Sequence, residues 1–600
     1  MRADIGAEPV SPGLHEVLYS GNPIPPVSFR SAVEVPIGLS DYDLQTNGSN
    51  CARISKTADG QVMAVWTQGF EETAYPDRGT GYNLFDGAQW GAQPTARLEA
   101  GVRTGWPNHM VTASGKEFIV SHVFTAGEYR LHYLRRNNTG EAWTEGDTPT
   151  DIPSGSLWPK GTVGGPDGES VHLISITGDA ATGTGSYLGV NGHIVYHRSL
   201  DGGATWDIVD GIIPGLDSTL MGFTLTDAYT IAARGETVVI GVFSGFSDTK
   251  IFKSTDNGDT WESFRLRDFP IDGYIRDSGY DPATLPPDRD TLATQPYAIF
   301  TSDGSGAIVI DHDNKVHAFF GDMFVSDEDL TDGNTTYYRF TSGMNYWNES
   351  FGEDSTRFIA DVLDLNGNDT IDVDDAGIYN GGMTSHVSAG IDAAGNLFIA
   401  YSALVEGEDF ANMEDGQNYR HVYLVASDDG GETWTDPYDA INPDVVIEPS
   451  LVNFIEAVYP TMVADVGENV EFIYQSDFRP GTVIGTDGDP VEGVFINYVS
   501  IPVTDLITVG EKVVQPAFFQ LEVQPNPASN EAWVSFDLER NARYALSLHN
   551  MMGQKVADVD MDNAFGSSIQ RIDLAGLQAG LYLVRLQAEN KVAVAKLMVR

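Results

Sequence analysis

The chain has 600 residues, with 34 lysines and arginines against 86 aspartates and glutamates, which gives a formal net charge of −52. A surface this acidic repels phosphate backbones and anionic lipids, so it argues against a nucleic-acid partner and favours a solvated, salt-tolerant exterior. No apolar run reaches about 18 residues, so no membrane span is predicted. The single cysteine, Cys51, excludes an intrachain disulfide.

Short strands and turns dominate the pattern along the chain. Residues 1–26 are Pro-rich and predict an extended lead-in, and residues 27–37 predict a strand without a neighbouring partner. Two apolar strands joined by a turn then recur in seven units: 52–66, 108–124, 160–176, 228–243, 307–324, 388–402 and 460–476. Such repeats are typical of a β-propeller. The pattern therefore predicts an all-β, seven-bladed propeller over residues 27–505, in which residues 27–37 complete the last blade.

An octapeptide of the form S-x-D-x-G-x-T-W occurs at residues 199–206, 254–261 and 427–434. Its Asp is expected to accept N–H bonds within a tight turn, its Gly to adopt a positive φ, and its Trp to bury a large ring. The Asp and Trp positions are Asp201 and Trp206, Asp256 and Trp261, and Asp429 and Trp434.

This octapeptide resembles the Asp box, or BNR repeat, of sialidase-like β-propellers. The resemblance implies a propeller fold, with the boxes between outer strands and away from the active face. Because sialidases of that family have six blades, a six-bladed propeller is the alternative to seven.

Two insertions interrupt the repeat, at residues 264–297 and 325–382. The second contains the sequence DLNGNDTIDVDD at residues 364–375, which fits a 12-residue calcium loop and resembles an EF-hand or dockerin-type loop. The alternative is a solvated acidic loop of Asx turns. For a structural calcium ion, the predicted ligands are Asp364, Asn366, Asn368, Thr370 through its carbonyl, Asp372 and Asp375.

After a linker at residues 506–516, seven short alternating strands over residues 517–600 predict a small immunoglobulin-like β-sandwich. This segment contains the motif Pro525-Asn526-Pro527, an N-x-x-G-Q turn at 550–554, the run from Asp573 to Val584 and a terminal K-L-M-V at 596–599.

These residues resemble the type A C-terminal sorting domain of the bacterial type IX secretion system. The resemblance implies that residues 517–600 contact the secretion machinery, and that the protein reaches the exterior or the outer-membrane surface of a Bacteroidetes-type bacterium. Proteins exported this way begin with a Sec signal peptide. Residues 1–13 show no basic and apolar signal segment, so the signal peptide is expected to be missing from this chain.

The resemblance to sialidases also implies an arginine that binds a carboxylate and a tyrosine nucleophile. Arg53 lies in R-I-S, where the family has R-I-P, and Tyr459 opens the last blade. The pairs Trp106-Pro107 and Trp158-Pro159 open other blades in the same way, so a purely structural role for Tyr459 is the alternative.

Residues just before the first strand and just after the second strand of each blade are expected to surround the centre of one face. Two carboxylates among them could serve as acid and base of a glycosidase. The candidate catalytic residues are Arg53, Glu71, Asp322, Tyr459 and Asp477. The candidate substrate-binding residues are Asn108, His109, Lys160, His386, Glu406 and Arg479.

Two classes of function remain open. A secreted sialidase-like propeller would recognise a glycan or surface polysaccharide at its central face, with exo-sialidase-like hydrolysis as the finer hypothesis, and this class requires a polar, concave centre. A non-catalytic adhesion module is the alternative, and it predicts a flat or plugged centre. The chain is expected to be a monomer without an organic cofactor.

Overall fold

Contacts within the chain divide it into two compact units, residues 1–507 and 508–600. The lead-in at 1–26 and most of the predicted linker at 506–516 lie outside the described residues. Within the described part of the chain, no helix is both long and apolar enough to cross a membrane. The computed structural model describes residues 33–71, 74–178, 185–224, 226–285, 295–368, 370–407, 410–412, 414–441, 455–484, 493–507, 521–542, 544–550, 555–560, 564–577, 580–588 and 591–600.

The first unit is a β-propeller of small antiparallel sheets, and each sheet is a blade. It opens with strand β1 (Val33–Ser40). Blade 1 follows with β2 (Ile54–Lys56), β3 (Val62–Gln68) and β4 (Gly79–Phe85). Blade 2 contains β5 (Thr104–Val111), β6 (Glu117–Thr125), β7 (Glu128–Arg136) and β8 (Thr144–Asp147). Blade 3 contains β9 (Ser156–Gly164), β10 (Ser170–Thr177), β11 (Ile194–Ser199) and β12 (Ile208–Gly211).

The remaining blades carry the insertions. Blade 4 contains β13 (Tyr229–Arg234), β14 (Thr237–Val242), β15 (Thr249–Ser254) and β16 (Glu262–Arg267). Blade 5 follows a 3-10 helix at Pro282–Thr284 and contains β17 (Ile299–Ile310), β18 (Val316–Ser326), β19 (Thr336–Tyr338), β20 (Met344–Asn348) and, after a second 3-10 helix at Glu349–Phe351, β21 (Arg357–Ala360). Strand β22 (Asp375–Ala376) pairs in parallel with β25 (Gln417–Asn418), and the two form a separate two-stranded sheet.

Blade 6 contains β23 (Thr384–Asp392), β24 (Leu397–Leu404), β26 (Arg420–Ser427) and β27 (Tyr438–Asp439), while β25 (Gln417–Asn418) lies outside its sheet. Blade 7 contains β28 (Glu456–Met462), β30 (Asn469–Asp477) and β31 (Val494–Pro502), and the short β29 (Asp465–Val466) pairs with β23 of blade 6. The unit ends with helix α1 (Val503–Leu506).

The first strand of the chain completes the last blade. Strand β1 pairs antiparallel with β31, from Val33 opposite Ser500 to Ser40 opposite Val494, and so becomes the outermost strand of blade 7. First strands of successive blades contact one another from blade 2 to blade 7. Ile54 of blade 1 and Ile473 of blade 7 share one apolar cluster. The ring therefore closes, as the unpaired strand at residues 27–37 predicted, although residues 27–32 lie outside the described part.

The octapeptide turns have the predicted internal bonds. In the second copy, Asp256 accepts the N–H and the hydroxyl of Thr260, at 2.8 and 2.6 Å, and the Ser254 hydroxyl accepts the N–H of Gly258 at 2.8 Å. The other two copies form the same bonds. Gly258 has a φ of +91°, which only glycine adopts readily.

Each octapeptide turn also packs on the preceding blade. A Cβ added to Gly258 of blade 4 would lie 2.1 Å from the hydroxyl of Tyr196 in blade 3, and Trp261 packs edge-on against the same ring at 5.4 Å. The other two copies are equivalent: Gly203 and Trp206 against Phe118, and Gly431 and Trp434 against Tyr346. The turns therefore hold neighbouring blades together at the rim.

The second unit is a β-sandwich. One sheet has the order β32-β33-β36 and the other β35-β34-β37-β38, and both contribute to a single apolar core that includes Val534 and Leu586. The seven strands match the seven predicted ones. They are β32 (Leu521–Gln524), β33 (Glu531–Ala542), β34 (Tyr544–Asn550), β35 (Lys555–Asp560), β36 (Ala564–Asp573), β37 (Gly580–Ala588) and β38 (Lys591–Val599).

The substitution Gly258→Ala tests the contact between octapeptide turn and preceding blade. We expect it to lower the free energy of unfolding by about 2–5 kcal/mol, because left-handed strain and a clash with Tyr196 add together. Gly235→Ala is the control, since Gly235 also has a positive φ, of +56°, but an added Cβ there meets no atom within 4 Å. It should cost only about 1–2 kcal/mol. Equal losses in urea unfolding of the two variants would show that the contact contributes nothing.

Candidate functional site

A narrow cavity of about 110 Å³ lies on the axis of the ring. Residues 50–52, just before β2, line it together with the first strands of blades 2 to 7. This volume is far below the roughly 300 Å³ at which pockets for small molecules begin, and it suits a few water molecules. This cavity is therefore too small for a sugar ring.

Residues 41–50, called the plug, connect β1 at the rim with β2 at the axis. They reach across the centre and bond to several blades. The Asp43 carbonyl accepts the Gln475 amide of blade 7 at 2.7 Å, the Ser49 hydroxyl donates to Gly304 of blade 5 at 3.3 Å, and the Asn50 amide donates to His386 of blade 6 at 2.8 Å. The chain itself therefore fills the centre of this face.

An ion pair between Lys160 and Asp227 anchors the plug. Their Nζ and Oδ2 atoms lie 2.8 Å apart, and the side chains are 2% and 0% exposed. Lys160 also donates to the Ser49 carbonyl, while Asp227 accepts the Thr46 hydroxyl at 2.7 Å and the Asn47 N–H at 3.0 Å. Burial is the largest single influence on Lys160 and lowers its pKa, but the charges of Asp227 and Cys51 and the hydrogen bonds to both groups together outweigh burial and raise the pKa. The predicted substrate-binding Lys160 thus binds the chain's own plug.

The predicted catalytic residues Arg53 and Tyr459 meet where blade 1 contacts blade 7. They are 1% and 0% exposed. Arg53 donates through Nη2 to the Tyr459 carbonyl and through Nε to the Thr461 hydroxyl at 3.1 Å. Burial lowers the pKa of Arg53 to about 10 and raises the pKa of Tyr459 well above its usual value. The two residues lie together, and solvent does not reach them.

His386 completes this buried group. Its ring packs edge-on against Tyr459 at 4.7 Å. Burial, together with the charges of Arg420 and Arg53, lowers the pKa of His386 to about 3, so the ring is neutral at physiological pH.

Two charged residues of the same group carried no sequence motif. Glu456 accepts the backbone N–H of Arg420 at 2.6 Å, and the Arg420 guanidinium lies 5.5 Å from the ring of Tyr379. Arg420 donates to the carbonyls of Gly382 and Met383, at 2.9 and 3.2 Å. The sequence gives only a weak indication of these two residues: Arg420 and Glu456 each occupy the first position of a mainly apolar strand.

A repeated backbone distortion shapes the start of the first strands. Trp106, Trp158, His386 and Tyr459 all have positive φ values, of +58°, +51°, +53° and +57°, at a shift in the strand register. The rings of Trp106 and Tyr459 share an apolar cluster with Tyr42 of the plug. The Tyr459-Pro460 pair is thus one of a series, and its position is explained by packing around the plug.

Three further predicted residues are buried within the scaffold. Asn108 donates to two backbone carbonyls, at 2.7 and 3.2 Å. The ring of His109 lies 3.2 Å from Glu117. Asp322 accepts a guanidinium hydrogen of Arg267 at 2.8 Å. Each of these side chains is buried and bonds within the scaffold, and Asn108 also lines the axial cavity.

The remaining predicted residues lie apart from the centre. Glu71 is exposed in a loop of blade 1. Asp477 accepts the backbone N–H of Arg479 at 3.1 Å, and Arg479 pairs with Glu414 at 2.6 Å. Glu406 anchors the predicted calcium loop at residues 364–375, called the calcium-like loop, by accepting three backbone N–H groups from it. Burial raises the pKa of Glu406. Of the predicted residues, Arg53, Tyr459 and His386 thus form one buried group, and Asp477 lies beside it, opposite Glu456 on the neighbouring strand.

The calcium-like loop brings together four of its six predicted ligands. The amides of Asn366 and Asn368 lie 2.7 and 2.9 Å from one oxygen of Asp372, and Asp364 accepts N–H bonds from the same turn. Asp375 instead pairs with an arginine, Arg339, at 2.8 Å. Over the described residues, no group of three or more His, Cys, Asp or Glu side chains is close enough to hold a metal ion. A metal site in this loop would therefore need Asn and carbonyl oxygens in addition to the carboxylates of Asp364 and Asp372.

The C-terminal unit is the part of the chain that comparison with known families identifies. Residues 522–600 match the family described as the secretion system C-terminal sorting domain. These residues are a type IX secretion sorting domain. The propeller is therefore exported, and the protein is secreted or displayed on the cell surface of a Bacteroidetes-type bacterium. None of the curated proteins compared with the chain matches it.

Solved structures offer only distant likenesses. A protein of unknown function from Dyadobacter fermentans is 11% identical, covers 66% of this chain and 100% of its own, and has a TM-score of 0.33. An ulvan lyase of polysaccharide lyase family PL25 is 10% identical over 94% of this chain and 95% of its own, with a TM-score of 0.32. A mutant sialidase of Trypanosoma rangeli with trans-sialidase activity is 10% identical over 95% and 88%, with a TM-score of 0.32. No conclusion about activity is based on likenesses this distant.

The substitution Lys160→Met tests the anchor of the plug. It leaves Asp227 charged, buried and unpaired, so we expect the free energy of unfolding to fall by about 3–5 kcal/mol. The control is Lys116→Met, which removes a partly exposed pair with Glu169 at 2.7 Å and should cost at most about 1 kcal/mol. Both are measured by urea unfolding followed by tryptophan fluorescence. A loss at Lys160 no larger than the control would contradict the anchor.

Proposed function

We propose that this secreted protein is a non-catalytic glycan-binding propeller that contacts its ligand through loops. The observation that carries the proposal is the plug: residues 41–50 fill the centre, and the predicted catalytic Arg53 and Tyr459 lie beneath it at 1% and 0% exposure. A glycosidase needs two carboxylates that a substrate can reach. At this centre, the plug occupies the space in which carboxylates accessible to a substrate would have to lie.

The loop face is the surface made by residues that precede the first strand or follow the second strand of each blade. It displays large side chains in open solvent: Phe124 is 58% exposed, Phe478 57% and Tyr297 37%. Exposed aromatic rings on a rigid scaffold are suited to stacking against the apolar face of a sugar. The loop face is therefore the binding surface in this proposal.

A hydrolase at the centre is the second candidate, and one observation favours it. Arg53 Nη1, Arg420 Nε, His386 Nδ1 and Tyr459 Oη are buried without a hydrogen-bond partner among the described residues. Buried polar atoms in that state are costly, and a bound ligand would supply the missing partners. This function requires the plug to leave the centre.

A glycan array and a panel of chromogenic glycosides, both applied to the full chain, separate the two candidates. We expect glycan binding without turnover. Phe478→Ser should weaken that binding about tenfold or more, since it removes an exposed ring, whereas Tyr459→Phe, the control, should leave it unchanged because that ring is buried. Turnover that Tyr459→Phe abolishes would establish the hydrolase instead, and no binding at all would overturn the proposal.

We also propose that residues 364–372 hold a structural calcium ion through Asp364, Asn366, Asn368, the Thr370 carbonyl and Asp372. The gathering of Asp364, Asn366, Asn368 and Asp372 in one turn supports the proposal, and the two Asn side chains, whose amide nitrogens donate to Asp372, would turn their oxygens toward the ion. Oxygen ligands at this spacing suit calcium, and the ion would stiffen the insertion that Glu406 anchors.

Removal of calcium should therefore lower the Tm. At a calcium concentration of about 100 times Kd, binding stabilises the folded state by about 2.7 kcal/mol. We expect EDTA to lower the Tm by at least about 3 °C and added calcium, but not magnesium, to restore it. Asp372→Ala should abolish the response, while Asp375→Ala, the control, should keep it. A Tm that EDTA does not move would count against the ion.

A further inference from the structure

Three arginines cluster on the loop face of blades 1 and 2 without a carboxylate partner. Among the described residues, neither Arg78 nor Arg97 nor Arg103 takes part in an ion pair. The chain carries 34 basic against 86 acidic residues, so a cluster of unpaired cations is unexpected on its surface. The nearby Asp77 uses both carboxylate oxygens to accept the N–H groups of Phe70 and Glu71.

Backbone carbonyls fix the three guanidinium groups. Arg78 is 7% exposed and donates to the Thr104 carbonyl at 2.7 Å. Arg97 donates to the Arg78 carbonyl at 3.0 Å. Arg103 is exposed, and its Nε donates to the Tyr75 carbonyl at 2.8 Å. Burial and the charges of Arg78 and Arg97 lower the pKa of Arg103, and they outweigh the opposing charges of Tyr42 and Asp77. An anion bound at Arg103 would relieve this repulsion between like charges.

Aromatic rings continue the row that starts at Arg103. Thr104 pairs with Val123 across strands β5 and β6, and extending this register by one residue brings Arg103, which precedes β5, level with Phe124. The charge of Arg103 also acts on Tyr129, where it opposes the rise in pKa that burial causes. Phe124 in turn pairs with Tyr129 on β7, and the two ring centroids are 4.9 Å apart. Because cross-strand partners share a face of the sheet, the three side chains form one continuous row, called the Arg103 row.

We propose that the Arg103 row is a subsite for an acidic sugar, in particular a uronic acid residue of a polysaccharide. The Arg103 guanidinium binds the sugar carboxylate with two parallel N–H donors, and Phe124 and Tyr129 stack against the C–H face of the sugar ring. This inference rests on the proposed glycan-binding function and adds the charge class of the ligand.

Charge and shape select this occupant over other anions. A chain of net charge −52 repels every polyanion at long range, so the selection is local: one fixed cationic cluster beside a ring pair fits a carboxylate carried on a sugar ring, which a phosphate diester does not offer. The adjoining ring pair offers an apolar surface that a free inorganic anion would not use. A sulfated sugar carries the same negative charge as a uronic acid but lacks its planar carboxylate, so the experiment below compares the two.

Calorimetric titration of the full chain with oligogalacturonate, a sulfated oligosaccharide and a neutral cello-oligosaccharide tests the subsite. We expect oligogalacturonate to bind more tightly than the other two and to lose affinity as salt increases. Arg103→Gln should weaken oligogalacturonate binding about tenfold or more without changing the affinity for the neutral oligosaccharide, and Phe124→Ser should weaken both.

Matched controls lie side by side on another blade. Arg357→Gln and Phe358→Ser alter an exposed arginine and a ring that is 60% exposed, and both should bind like the unmodified chain. If the unmodified chain binds glycans but Arg103→Gln changes nothing, the subsite is wrong and the proposed function stands. A preference for the sulfated arm also overturns the uronate assignment. If no saccharide binds, both proposals fall.

Discussion

A charge pair excluded from water, Lys160 with Asp227, organises the centre of this propeller. An isolated buried charge is very costly, so each of the two groups must be surrounded by donors or acceptors. The plug supplies them, through the Ser49 carbonyl, the Thr46 hydroxyl and the Asn47 N–H. Blades 3 and 4 are thereby tied to the segment that enters blade 1, and the place where many propellers receive a ligand is occupied by the chain itself.

At the rim, a different interaction repeats around the ring. Each octapeptide turn closes on itself through its Asp and Ser side chains, and its Gly and Trp then pack on an aromatic ring of the preceding blade. Centre and rim are thus held by contacts of different kinds, one ionic and buried, the other aromatic and half-buried. Because the centre and the rim are both fixed, the loops that connect the strands can vary in sequence and bind a ligand without disturbing the fold.

Local signals explain how much the sequence could predict. The octapeptide turn was predictable because Asp256, Gly258 and Trp261 act within eight residues of one another, and the closing strand because an apolar strand must find a partner. The plug was not predictable, since the bond from Thr46 to Asp227 spans 181 residues and the segment itself has the composition of a polar loop. Lys160 and His386 were expected near the central face, and no sequence pattern shows that the plug covers them. Arg420 and Glu456 were missed because their meeting depends on the packing of blade 6 on blade 7.

Reactivity of the only cysteine tests the filled centre most directly. Cys51 follows the plug, is 2% exposed, and its sulfur lies 3.5 Å from Lys160 Nζ. Burial raises the pKa of its thiol, which slows its reaction further. The account predicts that a thiol reagent such as DTNB leaves the native full chain unmodified for hours and modifies one thiol per chain in urea. Reaction of one thiol per native chain at the rate of a free cysteine would contradict it, because the plug would then be leaving the centre open.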